Sequence, residues 1–225
     1  SARYFRAVDT DPDLPFAALP VGEADFERDR RMIGEALEML AKCAPGLRDE
    51  IRALLRTVML AAGPTGKDAR TFDGASAFPM WGAIFLNALE AHDPVDMVQT
   101  LAHESCHVLL FGFCIDDSLV VNPDSERFRS PLRSDPRPID GIYHATFVLA
   151  RMHYAARALL NGGVLDSELK LKLEAEIAER EKAFFDGLGV LGEHARYTDT
   201  GRRLMENAEA HMRACATGPS PTIGS

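Results

Sequence analysis

The stretch LAHESCHVLL, residues 101–110, carries two histidines and a glutamate in the order H-E-x-x-H. In a helix, His103 and His107 lie one turn apart on the same face, so they can present two imidazoles to one metal ion. Glu104 lies beside the first of these histidines, within reach of a water molecule bound to that metal. The spacing therefore predicts a metal site, and many zinc peptidases share this motif.

Two histidines leave a metal site incomplete, so a third protein ligand is needed. An extended peptidase motif would place a histidine where this chain has Phe113. The other downstream candidates are Glu126, Asp140, His144 and His153. The two histidines are nine residues apart on one predicted helix and therefore point in opposite directions, so only one can face the site. We choose His144, near the helix start, and expect His153 to be a surface or packing residue.

The surroundings of the motif favour a metal site over a chance match. Asp93 is a good helix N-cap, Pro94 suits the first helical position, and Asp96 places an acid in the first turn. We expect this helix to run to about Phe111 and to end near Gly112. Its other residues are largely apolar, and two histidines without partners would be costly to bury among them.

The remaining elements are predicted from apolar periodicity and turn residues. A helix is expected at 23–42, and a second begins after Pro45 and continues to the turn cluster GPTGKD. Further helices are predicted at 138–160, 166–185 and 199–215, with short strands in the run AIFL and around 118–121. The fold class is mainly α with a small β element, in which the motif helix and the helix carrying His144 form the metal site.

Length and composition indicate one metal-binding catalytic domain over residues 1–216, with an extended lead-in at 1–20 and a disordered tail at 217–225. The chain has 25 Lys and Arg against 34 Asp and Glu, a net charge of −9, which argues against a nucleic-acid partner. No apolar run reaches the roughly 20 residues of a membrane span, and the N-terminus is not a secretory signal. Four cysteines without C-x-x-C spacing indicate reduced thiols and a cytoplasmic location.

The segment SPLRSDPRP, residues 130–138, carries Arg133 and Arg137 between three prolines. Two loop arginines are commonly just solvated side chains. Here, however, the prolines stiffen a segment that leads directly into the helix of His144. A rigid guanidinium beside a metal is suited to bind a carboxylate, which favours a carboxylate-bearing co-substrate over simple hydrolysis.

The motif TLAHESCHVLL followed by SPLRSDPRPIDGIYHATFVLAR resembles the HExxH-motif peptide-modification proteins encoded beside ribosomal peptide natural products. The resemblance covers roughly residues 80–160. It implies an iron- and 2-oxoglutarate-dependent peptide β-hydroxylase that acts on a ribosomally made precursor peptide. Carried over to this chain, the metal-binding positions are His103, His107 and His144.

The same resemblance gives candidates for binding the co-substrate and leaves open which of them does so. Arg133 and Arg137 match the arginines of the family's S-P-x-R-x-D-P-R-P segment, and Arg151, two turns after His144, is a competitor. Three ligands on one side of Fe(II) leave positions for 2-oxoglutarate and O2. Because all three ligands are histidines rather than two histidines and a carboxylate, Glu104 is expected to orient a ligand, a water or the substrate.

Two other functions stay open. A zinc metallopeptidase would use Glu104 as the general base toward the attacking water, and a non-enzymatic helical module would bind a peptide or partner enzyme. The run WGAIFLN is expected either to form an edge strand beside the metal, to which a peptide adds by main-chain hydrogen bonding, or simply to cover the core. The apolar stripe of the 166–185 helix would serve a homodimer as well as a core.

Overall fold

A computed structural model describes residues 18–63, 72–88, 90, 93–115, 117–130 and 135–216. The described residues form six α-helices and a three-stranded sheet, which confirms the predicted fold class. They divide into two compact units, the described parts of Ser1–Gly112 with Ala155–Lys170 and of Phe113–Tyr154 with Leu171–Ser225. The single catalytic domain stays a prediction, and most of the expected lead-in and all of the tail at 217–225 lie outside the described residues.

The first unit contains the sheet and the motif helix. Its elements are α1 (Glu23–Cys43), α2 (Pro45–Leu54), β1 (Thr57–Ala61), β2 (Gly74–Ala75), a 3-10 turn (Phe78–Met80), β3 (Ala83–Asn87) and α3 (Pro94–Phe113). Met32, Ala36 and Leu40 are buried on one face of α1, and Leu47 and Ile51 on one face of α2. Each helix thus buries the stripe that its apolar periodicity predicts.

The sheet has the strand order β1-β3-β2. β1 pairs with β3 in parallel, from Thr57 opposite Ala83 onward, and β2 pairs with β3 in an antiparallel manner, with Gly74 opposite Leu86. All five residues of β3 are buried, as expected for a strand covered on both faces. The hypothesis that WGAIFLN forms an edge strand is therefore wrong: β3 is central, and the short β2 pairs with no other described strand.

The second predicted helix is wrong in its second half. α2 ends at Leu54, and the following residues form β1 instead. Thr57 and Val58 are β-branched, and β1 pairs in parallel with β3 along its whole length, which supplies inter-strand hydrogen bonds on that side. Because this pairing partner lies more than 20 residues away in sequence, local periodicity did not distinguish the strand from a continued helix.

The motif helix begins as predicted. Asp93 Oδ1 accepts hydrogen bonds from the backbone N–H groups of Val95 and Asp96, both at 2.8 Å. These bonds satisfy two of the donors that a helix start leaves without intrahelical partners. The helix extends over Pro94–Phe113, slightly beyond the predicted end.

Three further helices are α4 (Ile139–Asn161), α5 (Ser167–His194) and α6 (Asp199–Ala216). The part of α4 up to Tyr154, the part of α5 from Leu171 and all of α6 belong to the second unit. In this unit the buried Tyr143 hydroxyl of α4 donates to the Gly201 carbonyl of α6 at 2.9 Å. This hydrogen bond joins α4 to α6.

Two predicted boundaries in the second unit need correction. α5 runs nine residues beyond the predicted end at 185. Within this extension, Gly187 is buried against Thr146 of α4 in a space too small for a side chain, so this glycine lets the two helices pack closely. The strand predicted at 118–121 is only an isolated bridge between Val120 and Tyr197.

Candidate metal site

The two motif histidines lie on α3 with their ring nitrogens together. His103 Nε2 and His107 Nε2 are 3.2 Å apart. Two imidazole nitrogens that each bind a tetrahedral ion at about 2.1 Å lie about 3.4 Å from each other, so the pair is close to the separation that a shared metal requires. The side chain of His103 is 40% exposed, which leaves this pair accessible to an ion and a substrate.

Glu104 is enclosed, with only 4% of its surface exposed. The Ser76 hydroxyl donates to its Oε2 at 2.7 Å, and its Oε1 lies 3.9 Å from His103 Nε2. Gly74 of β2 packs directly against this side chain, because a Cβ placed there would meet Glu104 Cγ at 2.7 Å. The carboxylate is therefore held by β2 and the residue after it, with one oxygen toward His103.

Burial raises the pKa of Glu104 from its ordinary value of 4.5 to about 7. The hydrogen bond from Ser76 opposes this effect, and the negative charge of Asp73 adds to it. A buried carboxylate without a cation beside it prefers the protonated form. A metal ion on the two histidines would favour the ionised form.

Gln99 lies one helical turn before His103, so its side chain shares the face of the two histidines. The side chain is buried, with 5% exposed, and neither its Nε2 nor its Oε1 has a hydrogen-bond partner within the described chain. Such a group costs about 1–3 kcal/mol, which a bound ligand or water would offset. An orphaned amide beside the histidine pair fits a site that holds a ligand in addition to the metal.

An aromatic flank, defined as Phe78, Trp81 and Phe111, borders the same helix. The Phe111 ring stacks with His107 at a centroid distance of 6.3 Å and meets Phe78 edge-on at 6.0 Å. The Trp81 indole N–H donates to the Val108 carbonyl at 3.0 Å. Phe78 and Trp81 are about half exposed, so the flank offers an apolar surface beside His107.

The other predicted site residues belong to the second unit. His144 lies on α4, with its Nε2 3.9 Å from Asp140 Oδ1. Burial is the main influence on this imidazole and lowers its pKa, while Asp140 opposes the effect. The neutral imidazole that burial favours is also the form that binds metals.

The predicted arginines have different surroundings. Arg137 Nε lies 3.0 Å from Asp135 Oδ2, and the Arg151 guanidinium lies 6.0 Å from the ring centre of Tyr154. Arg133 is outside the described residues. The structure thus brings His103, Glu104 and His107 together in the first unit and gives His144, Arg137 and Arg151 their neighbours in the second.

Sequence reasoning missed several residues that contribute to the site. Gly74 and Ser76 gave no signal, because nothing local indicates that β2 lies against α3. Gln99 did give a signal, as a polar residue four positions before His103 in an apolar helix.

His153, expected at the surface or in packing, is fully buried, and its neighbours are His211 and Glu181.

A scan against protein-family models and a search of curated proteins returned no match. The resemblance to HExxH-motif peptide-modification proteins therefore stays a prediction from the two sequence motifs. No helix in the described part of the chain is both long and apolar enough to cross a membrane.

Gly74→Ala tests how β2 holds the carboxylate. The new methyl group would meet Glu104 at less than a normal contact distance, so we expect a loss of about 1–3 kcal/mol in unfolding free energy and weaker metal binding. Urea denaturation and a metal titration measure the two effects. Gly34→Ala is the control: no atom lies within 4 Å of a Cβ there, so it should be neutral or stabilise by up to about 1 kcal/mol. Equal effects of the two variants would contradict the packing role.

The pKa of Glu104 predicts how stability depends on pH in chelator-treated protein. Between pH 4.5 and about 7, the unfolded chain loses this proton while the folded chain keeps it. The unfolding free energy should therefore fall as pH rises through this window, by about 3 kcal/mol in total, and level off above it. Glu104→Gln should remove this fall in urea denaturation from pH 4 to 8.

Glu126→Gln is the matched control, because Glu126 is a carboxylate whose pKa is lowered, chiefly by the Asn122 amide. This variant should keep the fall between pH 4.5 and 7. An identical pH profile for wild type and Glu104→Gln would show that the buried carboxylate does not titrate in this range.

Proposed function

We propose that this chain is an Fe(II)- and 2-oxoglutarate-dependent oxygenase that β-hydroxylates a residue of a ribosomally made precursor peptide in the cytoplasm. The observation that carries a metal-dependent function is the pair of ring nitrogens of His103 and His107, 3.2 Å apart beside an enclosed carboxylate. The choice of an oxygenase rests on the sequence, on the arginine-bearing segment that follows the motif. The sequence also supplies His144 as the third ligand.

Iron bound by these histidines would supply O2 activation, coupled to the oxidation of 2-oxoglutarate to succinate and CO2. His103 and His107 would hold the metal through Nε2, with the neutral rings that binding requires. Glu104 Oε1 lies 3.9 Å from His103 Nε2, the nitrogen that would bind the metal, while its Oε2 accepts from Ser76, so this carboxylate would orient a water or the substrate at the metal. The alternative of a peptide-binding module without catalysis would need the metal but no co-substrate.

Two features of the first unit suit the binding of the co-substrate and of the peptide. The carboxamide of Gln99 offers a donor and an acceptor on the histidine face of α3, as a co-substrate carboxylate or a metal-bound water requires. The aromatic flank beside His107 offers apolar contact to a peptide side chain, and aromatic residues are typical of peptide-binding surfaces. Among the arginines, Arg133, Arg137 and Arg151 remain candidates to grip the distal carboxylate of 2-oxoglutarate.

A zinc metallopeptidase is the second candidate, and the position of Glu104 favours it. Its Oε1 lies on the side of His103, where a general base would meet a metal-bound water. In that case Zn(II) would take the histidine pair and a downstream ligand. Glu104→Gln should then abolish peptide cleavage while zinc stays bound, whereas an oxygenase should keep reduced turnover.

An anaerobic optical titration tests the oxygenase proposal. Fe(II) is added to metal-depleted protein, followed by 2-oxoglutarate. We expect a weak visible metal-to-ligand charge-transfer band, because a 2-oxo acid chelated to ferrous iron produces one. His144→Ala should lose the band, while His194→Ala, which removes an exposed histidine stacked on Phe128, should keep it.

Each outcome has a defined meaning. Tight zinc binding without a band would overturn the oxygenase and favour the peptidase. A band that survives His144→Ala would leave the oxygenase intact but would exclude His144 as the third ligand.

Gln99→Leu tests the orphaned amide. Replacing an amide without partners by an apolar side chain of similar size should stabilise the chelator-treated protein by about 1 kcal/mol. The same variant should weaken 2-oxoglutarate binding about tenfold, measured by the optical band. Ser105→Ala, on the same helix but bonded to the Ala102 carbonyl, should leave the co-substrate affinity unchanged. Unchanged affinity in Gln99→Leu would remove Gln99 from the co-substrate site.

A further inference from the structure

The second unit contains a group of metal-ligand side chains that the function above does not use. The ligand atoms of His153, His211 and Cys215 all lie within 4.8 Å of one another. Among the described residues, no other group of three or more His, Cys, Asp or Glu side chains brings its ligand atoms so close together. His153 lies on α4, and the other two lie on α6.

His153 is oriented as a metal ligand would be. It is fully buried, and its two ring nitrogens have different neighbours. Its Nε2 lies 3.0 Å from Glu181 Oε1 on α5, and its Nδ1 lies 3.1 Å from His211 Nε2. Because a carboxylate accepts the proton of Nε2, the tautomer with a lone pair on Nδ1 is favoured. A carboxylate behind a histidine is the usual support of a metal-bound imidazole.

His211 and Cys215 are four residues apart on α6, so they share one face of the helix. Cys215 Sγ lies 4.0 Å from both ring nitrogens of His211. A nitrogen and a sulfur that bind one tetrahedral ion at about 2.1 and 2.3 Å lie about 3.6 Å apart, and two nitrogens lie about 3.4 Å apart. The His153–His211 and His211–Cys215 distances differ from these values by a few tenths of an ångström. Cys215 Sγ lies within 4.8 Å of the other ligand atoms, and rotation of its side chain would bring it to the ion.

We propose that His153 Nδ1, His211 Nε2 and Cys215 Sγ bind one divalent transition-metal ion of the zinc class, with Glu181 orienting His153. Two imidazoles and a thiolate suit zinc and exclude magnesium and calcium, which prefer oxygen ligands. His211 and Cys215 are partly exposed, so water completes the coordination. The ion joins α4 to α6 in the second unit, and the contact of Glu181 with His153 connects α5 to the same site. This site is independent of the proposed oxygenase.

A cobalt titration tests this site without interference from the motif histidines. In a His103→Ala/His107→Ala background, reduced and chelator-treated protein should bind one equivalent of Co(II). The spectrum should show a near-ultraviolet thiolate-to-cobalt charge-transfer band and the visible absorption of four-coordinate cobalt. Zn(II) should bleach both bands by displacement.

Three variants assign the bands. Cys215→Ser should lose the near-ultraviolet band, while Cys43→Ser, at a partly buried cysteine of the first unit, should keep it. Glu181→Gln should keep the band but weaken Co(II) binding about 10–100-fold, because only the support of His153 is lost. Circular dichroism verifies that each variant is folded.

The wild-type chain gives a second measurement in case the double background does not fold. There the thiolate band should saturate by two equivalents of cobalt, because the motif histidines can take one, and it should vanish only in Cys215→Ser. A missing thiolate band, or one that persists in Cys215→Ser, would overturn the proposal. The group would then be a hydrogen-bonded chain in which His211 Nε2–H donates to His153 Nδ1.

Discussion

Packing around one buried carboxylate links β2 to α3 in the first unit. Glu104 lies within an apolar helix, where an ionisable side chain loses the solvation that water would give it. The Ser76 hydroxyl offsets part of this cost, and Gly74 leaves the space that the side chain fills. Small residues in β2 and directly after it therefore leave room for the carboxylate. The carboxylate in turn faces His103.

Features that depend on residues close together in the sequence were predicted correctly. The N-cap at Asp93, the pairing of His103 with His107 and the mainly helical class all follow from spacings of a few residues, and the structure has them. β1 was predicted as helix because its strand partner is distant in sequence. Ser76 was missed for the same reason, since its hydrogen bond to Glu104 spans 28 residues. Local sequence patterns thus predicted the histidine pair, but not the residues of and after β2 that enclose Glu104 beside it.

His144 and His153 lie nine residues apart on α4 and have separate surroundings. Opposite directions on one helix do exclude both histidines from a single site. Each histidine nevertheless has its own carboxylate, Asp140 for the first and Glu181 for the second. Two opposite faces of one helix therefore contact two separate sets of side chains.

The parallel pairing of β1 with β3 has a kinetic consequence. Parallel strands need a long crossover, and here residues 62–82 make that connection and contain both β2 and Ser76. Closing this loop costs chain entropy before its contacts form, whereas α3 arises from local hydrogen bonds. During folding we therefore expect the paired histidines to assemble early, while Glu104 stays hydrated until the crossover closes. A nascent chain would thus have its imidazoles in place while its carboxylate is still open to water.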